Sequence, residues 1–317
     1  MIAYAVSRLL QAIPILFLVS LFAFGMIYLI PGDAATVMGG PEASAADLER
    51  IRENMGLNEP FLQQIVSFYV NLLQGDLGQS LMLGTPVLDA IIDRTPITLG
   101  ISLYSLAVTI VFGLLTGIVA ALNHNKLLDQ AATLFALIGI SLPNFWLALV
   151  MIVVFSVHLG WLPTGGYVPF SESPMGWLRT TTMPALALAL LQAGLLTRIT
   201  RSTMLEVLSQ DYIRTARAKG LTEWQVIGQH ALANVMMPVV TVLGLILSVL
   251  LSGSIVIEAI FGIPGLGALM GNAILSRDFP LVQGGLISIA CSLLLLNIVV
   301  DVLYFWLDPR VRIKGGD

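Results

Sequence analysis

Long apolar stretches recur along the chain, and no other feature restricts its fold as strongly. The first covers residues 9–30, close to the roughly 20 residues that an α-helix needs to cross a bilayer. Five more lie at about 96–122, 128–157, 184–205, 238–257 and 281–307. Hydrophobic residues make up 57% of the chain and charged residues 11%, against about 25% charged residues in soluble proteins. We therefore predict an all-α membrane protein with six transmembrane helices.

The distribution of Lys and Arg predicts how these helices are oriented. Between residues 31 and 95, nine Asp or Glu residues stand against three Arg. Ten of the 15 Lys and Arg residues fall on the other side: Arg8, Lys126, Arg198, Arg201, Arg214, Arg217, Lys219, Arg310, Arg312 and Lys314. Short cytoplasmic loops are enriched in Lys and Arg. Both termini are therefore predicted to be cytoplasmic.

The acidic segment 31–95 is predicted to be a folded extracytoplasmic insert. Ser44 and Asp47 have the spacing of a helix N-cap, and Pro60 begins a second amphipathic helix that Gly75 ends. The chain thus divides into a first transmembrane helix at 1–30, the helical insert at 31–95 and a five-helix core at 96–317 with a cytoplasmic loop at 206–237. Pro143 is expected to kink the third span.

The polar loop between the fourth and fifth spans predicts two helices joined by a hinge. Gly220 tolerates the left-handed conformation that ends helices. Thr222 and Gln225 have the spacing of a capping box, and Leu221 before the cap can pack on Val226 as a hydrophobic staple. The second helix has a stripe along one face, formed by Leu221, Trp224, Ile227 or Gly228, and Ala231. Such a helix, projecting from a membrane, needs a partner to bury that stripe.

Motifs for chemistry within the chain are missing. There is no H-E-x-x-H or G-x-S-x-G motif, and no Gly is followed directly by Lys, which excludes a phosphate-binding P-loop. The single Cys291 and three scattered His residues have no metal-ligand spacing. Neither Glu258 nor Asp301 forms the buried acid relay of an ion-coupled carrier, because both lie close enough to an interface to be hydrated or paired. Any movement of solute would have to be powered by a partner.

Several polar positions are candidates for a pathway or gate, although small and polar residues also serve helix packing. They are Ser141, Asn144, Gln192, Thr197, Arg198, Ser252 and Glu258. Arg198 and Arg201 near the inner end of the fourth span either snorkel to the interface or line an inner gate. An ion-coupled secondary transporter and a membrane enzyme or scaffold remain the alternative classes.

Residues 211–230 resemble the cytoplasmic coupling loop in permease subunits of ABC importers. Gly220 takes the place of the loop's glycine and Ala216 that of its second alanine, while Arg214 and Thr215 replace the usual Glu and first Ala. Those departures resemble the dipeptide, oligopeptide, nickel and glutathione importer branch. Further motifs of that branch lie at residues 30–33, 75–78, 238–241, 258–267, 277–283 and 308–310. The first span with its insert is similar to the B-type permease of the branch.

The resemblance implies a type I ABC importer permease in the bacterial inner membrane that forms half of a pathway for peptides or a related small solute. It implies as partners a second, C-type permease, two ABC ATPase subunits and an extracytoplasmic binding protein, besides membrane lipid. ATP and magnesium would belong to the ATPases, and this chain would hold no cofactor or metal and bind no nucleic acid. The residues implied in ATPase coupling are Arg214, Thr215, Ala216, Arg217, Lys219, Gly220, Leu221, Thr222, Trp224 and Ile227.

Overall fold

The computed structural model describes residues 2–29, 34–40 and 42–307, and within these ranges every regular element is a helix. This confirms the all-α class. The motifs predicted at 30–33 and 308–310 and the basic tail lie outside the described residues. In chain order the α-helices are α1 (Ile2–Gly25), α2 (Ala34–Gly39), α3 (Ala45–Asn54), α4 (Phe61–Leu73), α5 (Val87–Leu122), α6 (Leu127–Ser141), α7 (Asn144–Met151), α8 (Pro174–Leu208), α9 (Asp211–Ala218), α10 (Glu223–Gln225), α11 (Leu232–Phe261), α12 (Leu266–Leu275) and α13 (Phe279–Leu307).

Helices long and apolar enough to cross a membrane agree with the predicted number. Five described helices qualify: Leu10–Leu29, Val87–Leu122, Pro174–Leu208, Glu223–Phe261 and Phe279–Val300. The first of these ends in a 3-10 turn, Met26–Leu29. A sixth span results if the bent pair Leu127–Ser141 and Asn144–His158 is counted as one.

The kink predicted at Pro143 is confirmed as a full break of the third span. The two halves are bent by 102°. Leu142 has ψ 128° and Pro143 ψ 135°, so both residues are extended. The proline ring disfavours the helical conformation of the residue before it, which explains why α6 ends at Ser141. The second half finishes as a π-helix, Ile152–His158.

Three helices begin earlier than the predicted starts of their spans at about 96, 184 and 238. Pro96, Pro184 and Pro238 all lie inside longer helices, α5, α8 and the helix Glu223–Phe261. An internal proline removes one backbone donor, and in a membrane helix neighbouring groups compensate for that loss. α8 begins instead at Pro174, where the Ser173 hydroxyl accepts a hydrogen bond from the Gly176 N–H at 3.0 Å.

Contacts divide the described chain into two compact units. One contains Thr98–Ile263 with residues 296–307, and the other contains Ile2–Ile97 with residues 264–295. In the first unit α8 packs against α6, α7 and α11. Gly139 and Gly194 allow close approach there, because a Cβ on either would lie 2.7 or 2.6 Å from a carbonyl oxygen of the facing helix.

The second unit joins the first span and the insert to residues 264–295. Its apolar core is formed by Val87, Ala90, Ile91, Leu266, Leu269, Met270, Ala273, Leu281 and Val282. Beside this core the Asp278 carboxylate accepts hydrogen bonds from the Ser80 hydroxyl at 2.6 Å and the Met82 N–H at 2.9 Å. The helices predicted in the insert are confirmed: Ser44 and Asp47 form a capping box, and Pro60 is the N-cap of α4.

Candidate functional site

The hinge predicted in the loop after α8 is confirmed in its backbone geometry. Gly220 has φ +80°, and a Cβ there would meet nothing within 4 Å, so the glycine serves the backbone conformation and not a close contact. The Gly220 N–H donates to the Arg217 carbonyl at 2.9 Å, and the Leu221 N–H donates to the Ala216 carbonyl at 3.4 Å. These two bonds form a Schellman motif, which satisfies carbonyls at the end of α9.

The capping box that follows the hinge is also confirmed. The Gln225 N–H donates to the Thr222 hydroxyl at 3.4 Å, and the Thr222 N–H donates to the Gln225 side-chain oxygen at 3.0 Å. Thr222 is the N-cap of α10. One helix therefore ends and another begins within Lys219–Thr222, which fixes the direction of the chain on both sides of Gly220.

The second segment differs from the prediction of a separate amphipathic helix. α10 passes through a π-helix, Val226–Ala231, directly into α11. Val226 and Ala231 are fully buried, whereas Trp224 is 86% exposed. A π-turn contains more residues than an α-turn, so the buried positions are five apart and the predicted stripe through Trp224 is not formed.

α9 rests on this segment through one narrow face. Ile213 and Ala216, three residues apart, are buried, and the Asn234 side-chain amide donates to the Tyr212 hydroxyl at 3.0 Å. Outside that face, the predicted coupling residues divide by exposure. Arg214, Thr215, Arg217, Lys219, Gly220, Thr222 and Trp224 are exposed, and Leu221 and Ile227 are half-buried. Ala216 therefore supports the loop from beneath and offers no surface to a partner.

An ion pair that sequence reasoning missed crosses the hinge. The Arg217 Nε donates to Glu223 Oε1 at 2.8 Å and its Nη2 donates to Oε2 at 3.2 Å, so the two side chains meet in a two-point contact. Both are exposed, at 41% and 60%, and exposed pairs contribute little to stability. Arg214 pairs with Asp211 within α9 at 3.4 Å. The Arg217–Glu223 contact thus restrains the hinge weakly.

A second ion pair, on Arg201, was also missed. Arg201 donates to Asp129 through Nε at 2.5 Å and Nη2 at 2.7 Å, and the Asn125 N–H donates to the same carboxylate at 2.9 Å. His124 Nδ1 lies 3.4 Å from it. The Asp129 side chain is only 5% exposed. Arg201 is therefore held by a carboxylate and does not simply snorkel. The only signal in the sequence was an acid in a loop predicted to face the same side as Arg201.

Three of the predicted pathway residues are buried: Gln192, Thr197 and Glu258. Gln192 and Thr197 are 5% and 1% exposed, and the Thr197 hydroxyl donates to the Ala193 carbonyl at 2.7 Å and lies 2.6 Å from the Thr116 hydroxyl. Ser141, Arg198 and Ser252 are exposed, and Asn144 is half-buried. The structure does not bring this set together at one lined surface, so their part in a pathway stays a prediction.

Glu258 is fully packed inside the first unit. It is 1% exposed, and its carboxylate accepts a hydrogen bond from the Thr98 hydroxyl at 2.6 Å. The Glu258 carbonyl also accepts from the Ile263 N–H at 2.9 Å, within the turn at Gly262. Glu258 was expected to be hydrated or paired, and the structure pairs it with the Thr98 hydroxyl. The side chain of Asp301 is not described.

The fold and the loop together define a class of protein: a multi-pass helical membrane protein with a hinged polar loop between two of its spans. A structural neighbour shares this fold, an inward-facing MetNI methionine ABC transporter, at TM-score 0.58 and 18% identity over 69% of this chain and 96% of that one. At such low identity the likeness concerns the fold alone, the type I permease fold.

The family follows from the sequence comparisons. The profile described as "Binding-protein-dependent transport system inner membrane component" matches residues 113–313, and the N-terminal profile for the membrane component of such systems matches residues 1–102. The chain belongs to this family of binding-protein-dependent transport system inner membrane components. It is therefore a multi-pass permease component of the inner membrane. Membership of this family favours binding-protein-dependent transport over an ion-coupled secondary transporter.

Two relatives match over nearly their whole length. A protein of Brucella abortus (strain 2308) named for a peptide transport system permease is 46% identical over 312 residues, covering 98% of this chain and 99% of that one. The glutathione transport system permease protein GsiC of Escherichia coli (strain K12) is 41% identical over 314 residues, covering 99% and 100%.

Proposed function

We propose that the chain forms half of the translocation pathway for a peptide or a related small solute that a binding protein delivers. The observation that carries this is the full-length similarity to permeases named for peptide and for glutathione transport. Glutathione is itself a short peptide, so the two names describe one chemical class. Dipeptides, oligopeptides and glutathione are the substrates to compare within this class, and nickel chelates are the related small solutes to compare with it.

The energy for this transport would enter at the loop around Gly220. The loop presents three exposed cationic side chains, Arg214, Arg217 and Lys219. It also presents the ring of Trp224, which is 86% exposed. Large aromatic and Arg side chains are enriched among the residues that dominate protein interfaces. The proposed partners are two ATPase subunits, which would bind ATP and magnesium, and a second, C-type permease.

The continuous helix after the hinge offers a physical route from the loop to the membrane. Residues Glu223–Phe261 form one continuous helix, whose only irregularity is the π-helical segment Val226–Ala231. The buried side chains of Val226 and Ala231 anchor the first turns of this helix in the compact unit that contains Thr98–Ile263. A push on the exposed residues around Gly220 would therefore tilt a whole span, and the flexible backbone at the glycine would absorb the change in direction.

Trp224→Asp tests the assignment of the loop. Because Trp224 is exposed, its replacement leaves the packing of the chain nearly unchanged, and we expect transport and its linked ATPase activity in reconstituted vesicles to fall together. Gln229→Asp is the matched control, since it adds the same charge at another exposed position of the same segment. Normal ATPase stimulation by the loaded binding protein in the Trp224 variant would contradict the proposal.

The substrate class is tested separately on the binding protein that works with this permease. Calorimetry with a dipeptide, a longer peptide, glutathione and a nickel chelate is expected to give tight binding for at least one of them. Uptake of that ligand by vesicles with the complete transporter should then require ATP. Uptake that continues without ATP on an ion gradient would support the secondary-transporter alternative.

A further inference from the structure

α4 of the insert packs on the first membrane span through large aromatic side chains. The Phe24 ring lies 5.2 Å from that of Phe68 and 6.0 Å from that of Phe61, measured between ring centroids. Tyr69 stacks on Phe17 at 5.6 Å. These contacts extend over two turns of α1, so one face of α4 follows the span over a considerable part of its length.

A second face of α4 is polar and points to a cavity. The Gln64 amide donates to the Glu59 carbonyl at 2.7 Å and its oxygen accepts from the Tyr28 hydroxyl. Ser67 and Asn71 line a cavity of about 590 Å³. Gln64, Ser67 and Asn71 of α4 are therefore directed to this cavity or to the chain itself.

The third face is apolar and uncovered. Leu62, Val66, Val70 and Leu73 are spaced by four, four and three residues, which places them on one side of the helix. They are 76%, 61%, 45% and 86% exposed. We call this set the α4 stripe. A helix on the surface of a water-soluble insert would instead show its polar side chains here.

We propose that the α4 stripe contacts lipid acyl chains, so that α4 is a membrane-associated helix of the insert. The neighbouring surface supports lipid as the occupant. Residues 10–29, in α1 and the 3-10 turn after it, carry no charged side chain and are long enough to cross a bilayer. Leu18 and Phe22 of this span are 63% and 62% exposed, and such residues of a single span face lipid in a multi-pass membrane protein. Because α4 packs beside Phe17 and Phe24 of this same span, the α4 stripe would lie at the depth of residues that cross the bilayer.

A soluble binding protein fits the stripe less well. A soluble binding protein that docks reversibly would form a non-obligate interface, and such interfaces are about as polar as ordinary protein surface. Between dockings the stripe would be an exposed apolar patch in water, which soluble surfaces avoid. An amphipathic helix at the bilayer surface, in contrast, keeps its apolar face covered at all times.

Spin labels on the assembled transporter test this proposal. In a Cys291→Ser background, single cysteines replace Val66 or Val70 of the stripe, and Asn71 of the polar face provides the matched control on the same two turns. The labelled transporter is placed in vesicles of phosphatidylethanolamine and phosphatidylglycerol. Collisions with oxygen, which concentrates in lipid, are compared with collisions with a water-soluble nickel chelate.

We expect the ratio of oxygen to nickel collisions to be several-fold higher at positions 66 and 70 than at position 71. Equal ratios would show that the stripe lies in water and would overturn the proposal. Loss of both kinds of collision on adding the loaded binding protein, or in the assembled transporter without it, would identify a protein surface as the occupant and would also overturn it. The result does not depend on which solute is carried.

Discussion

Two ion pairs in the same compact unit illustrate opposite uses of the same chemistry. Asp129 and Arg201 join α6 to α8 through a carboxylate that is only 5% exposed, whereas Arg217 and Glu223 meet across the Gly220 hinge with both side chains in solvent. Separating a buried carboxylate from its partner costs several kcal/mol of stability, about 3 or more. Separating an exposed pair costs little, because water replaces the partner. We infer that the first pair fastens two helices and that the second lets the loop move.

The largest effect is expected where the fastened pair is broken. Asp129→Ala leaves the Arg201 guanidinium without its carboxylate and should destabilise the protein by about 3 kcal/mol, the lower end for a buried pair because Arg201 is partly exposed. Thermal stability of the assembled transporter, followed by size-exclusion chromatography, measures this. Arg198→Ala is the control, since Arg198 is exposed three residues earlier on α8.

A double substitution sharpens the same test. Removing both partners, Asp129→Ala with Arg201→Ala, leaves no uncompensated charge and should recover part of the lost stability. A double variant that is as unstable as the sum of the two single variants would show that the pair is not coupled, and the fastening role would have to be abandoned.

At the hinge, the substitution Gly220→Ala should lower stability only through backbone strain. Gly220→Ala forces a side chain into φ +80°, which costs about 1–2 kcal/mol, although a Cβ would find open space there. Gly228→Ala is the matched control, because a Cβ at Gly228 also meets nothing within 4 Å and its φ is not positive. The control should be neutral or stabilising by up to about 1 kcal/mol. Equal thermal stability of the two variants would argue against a hinge that depends on glycine.

The local parts of this comparison were predictable from sequence, and the long-range parts were not. Gly220, the Thr222–Gln225 box and the start of α4 at Pro60 depend on residues within a few positions of one another, and all three predictions are confirmed. The bond between Arg201 and Asp129 spans 72 positions. Only the packing of α6 on α8 brings that pair together, and no periodicity in the chain encodes it.

Two further differences have a local cause that the sequence conceals. The predicted spans start at about Pro96, Pro184 and Pro238, yet each helix begins nine or more residues earlier, because a membrane helix tolerates the loss of one donor. The π-helix after Gln225 places the buried residues Val226 and Ala231 five positions apart, and Trp224 is exposed. The coupling role of the loop residues remains a prediction.

A smaller effect is expected from the exposed pair at the hinge. Arg217→Ala and Glu223→Ala, alone and together, form a double-mutant cycle whose coupling energy should stay below about 1 kcal/mol and should shrink further in high salt. Thermal stability at low and high salt measures it. A coupling energy as large as that between Asp129 and Arg201 would contradict the inference that the Arg217–Glu223 pair restrains the loop only weakly.

The smallest expected effect is a difference in pH dependence between the two capping boxes. In the insert, the Ser44 hydroxyl donates to Asp47 Oδ2 at 2.6 Å and the Ser44 N–H donates to it at 3.2 Å, and these bonds lower the pKa of the Asp47 carboxyl below its ordinary value. The box at the hinge uses Gln225, which does not titrate. A lowered pKa means that the Ser44–Asp47 box stabilises α3 fully above the ordinary carboxyl pKa of about 3.9 and loses this contribution as the pH falls through the lower, folded value.

A spin label at the exposed Ala46, in the first turn of α3, should therefore become more mobile as the medium is acidified through that range, while a label at Gln229 beyond the hinge box should not respond. Asp47→Asn removes the titrating group and should abolish the change at Ala46. If the mobility at Ala46 still changed with pH in the Asn variant, a group other than Asp47 would control this end of α3.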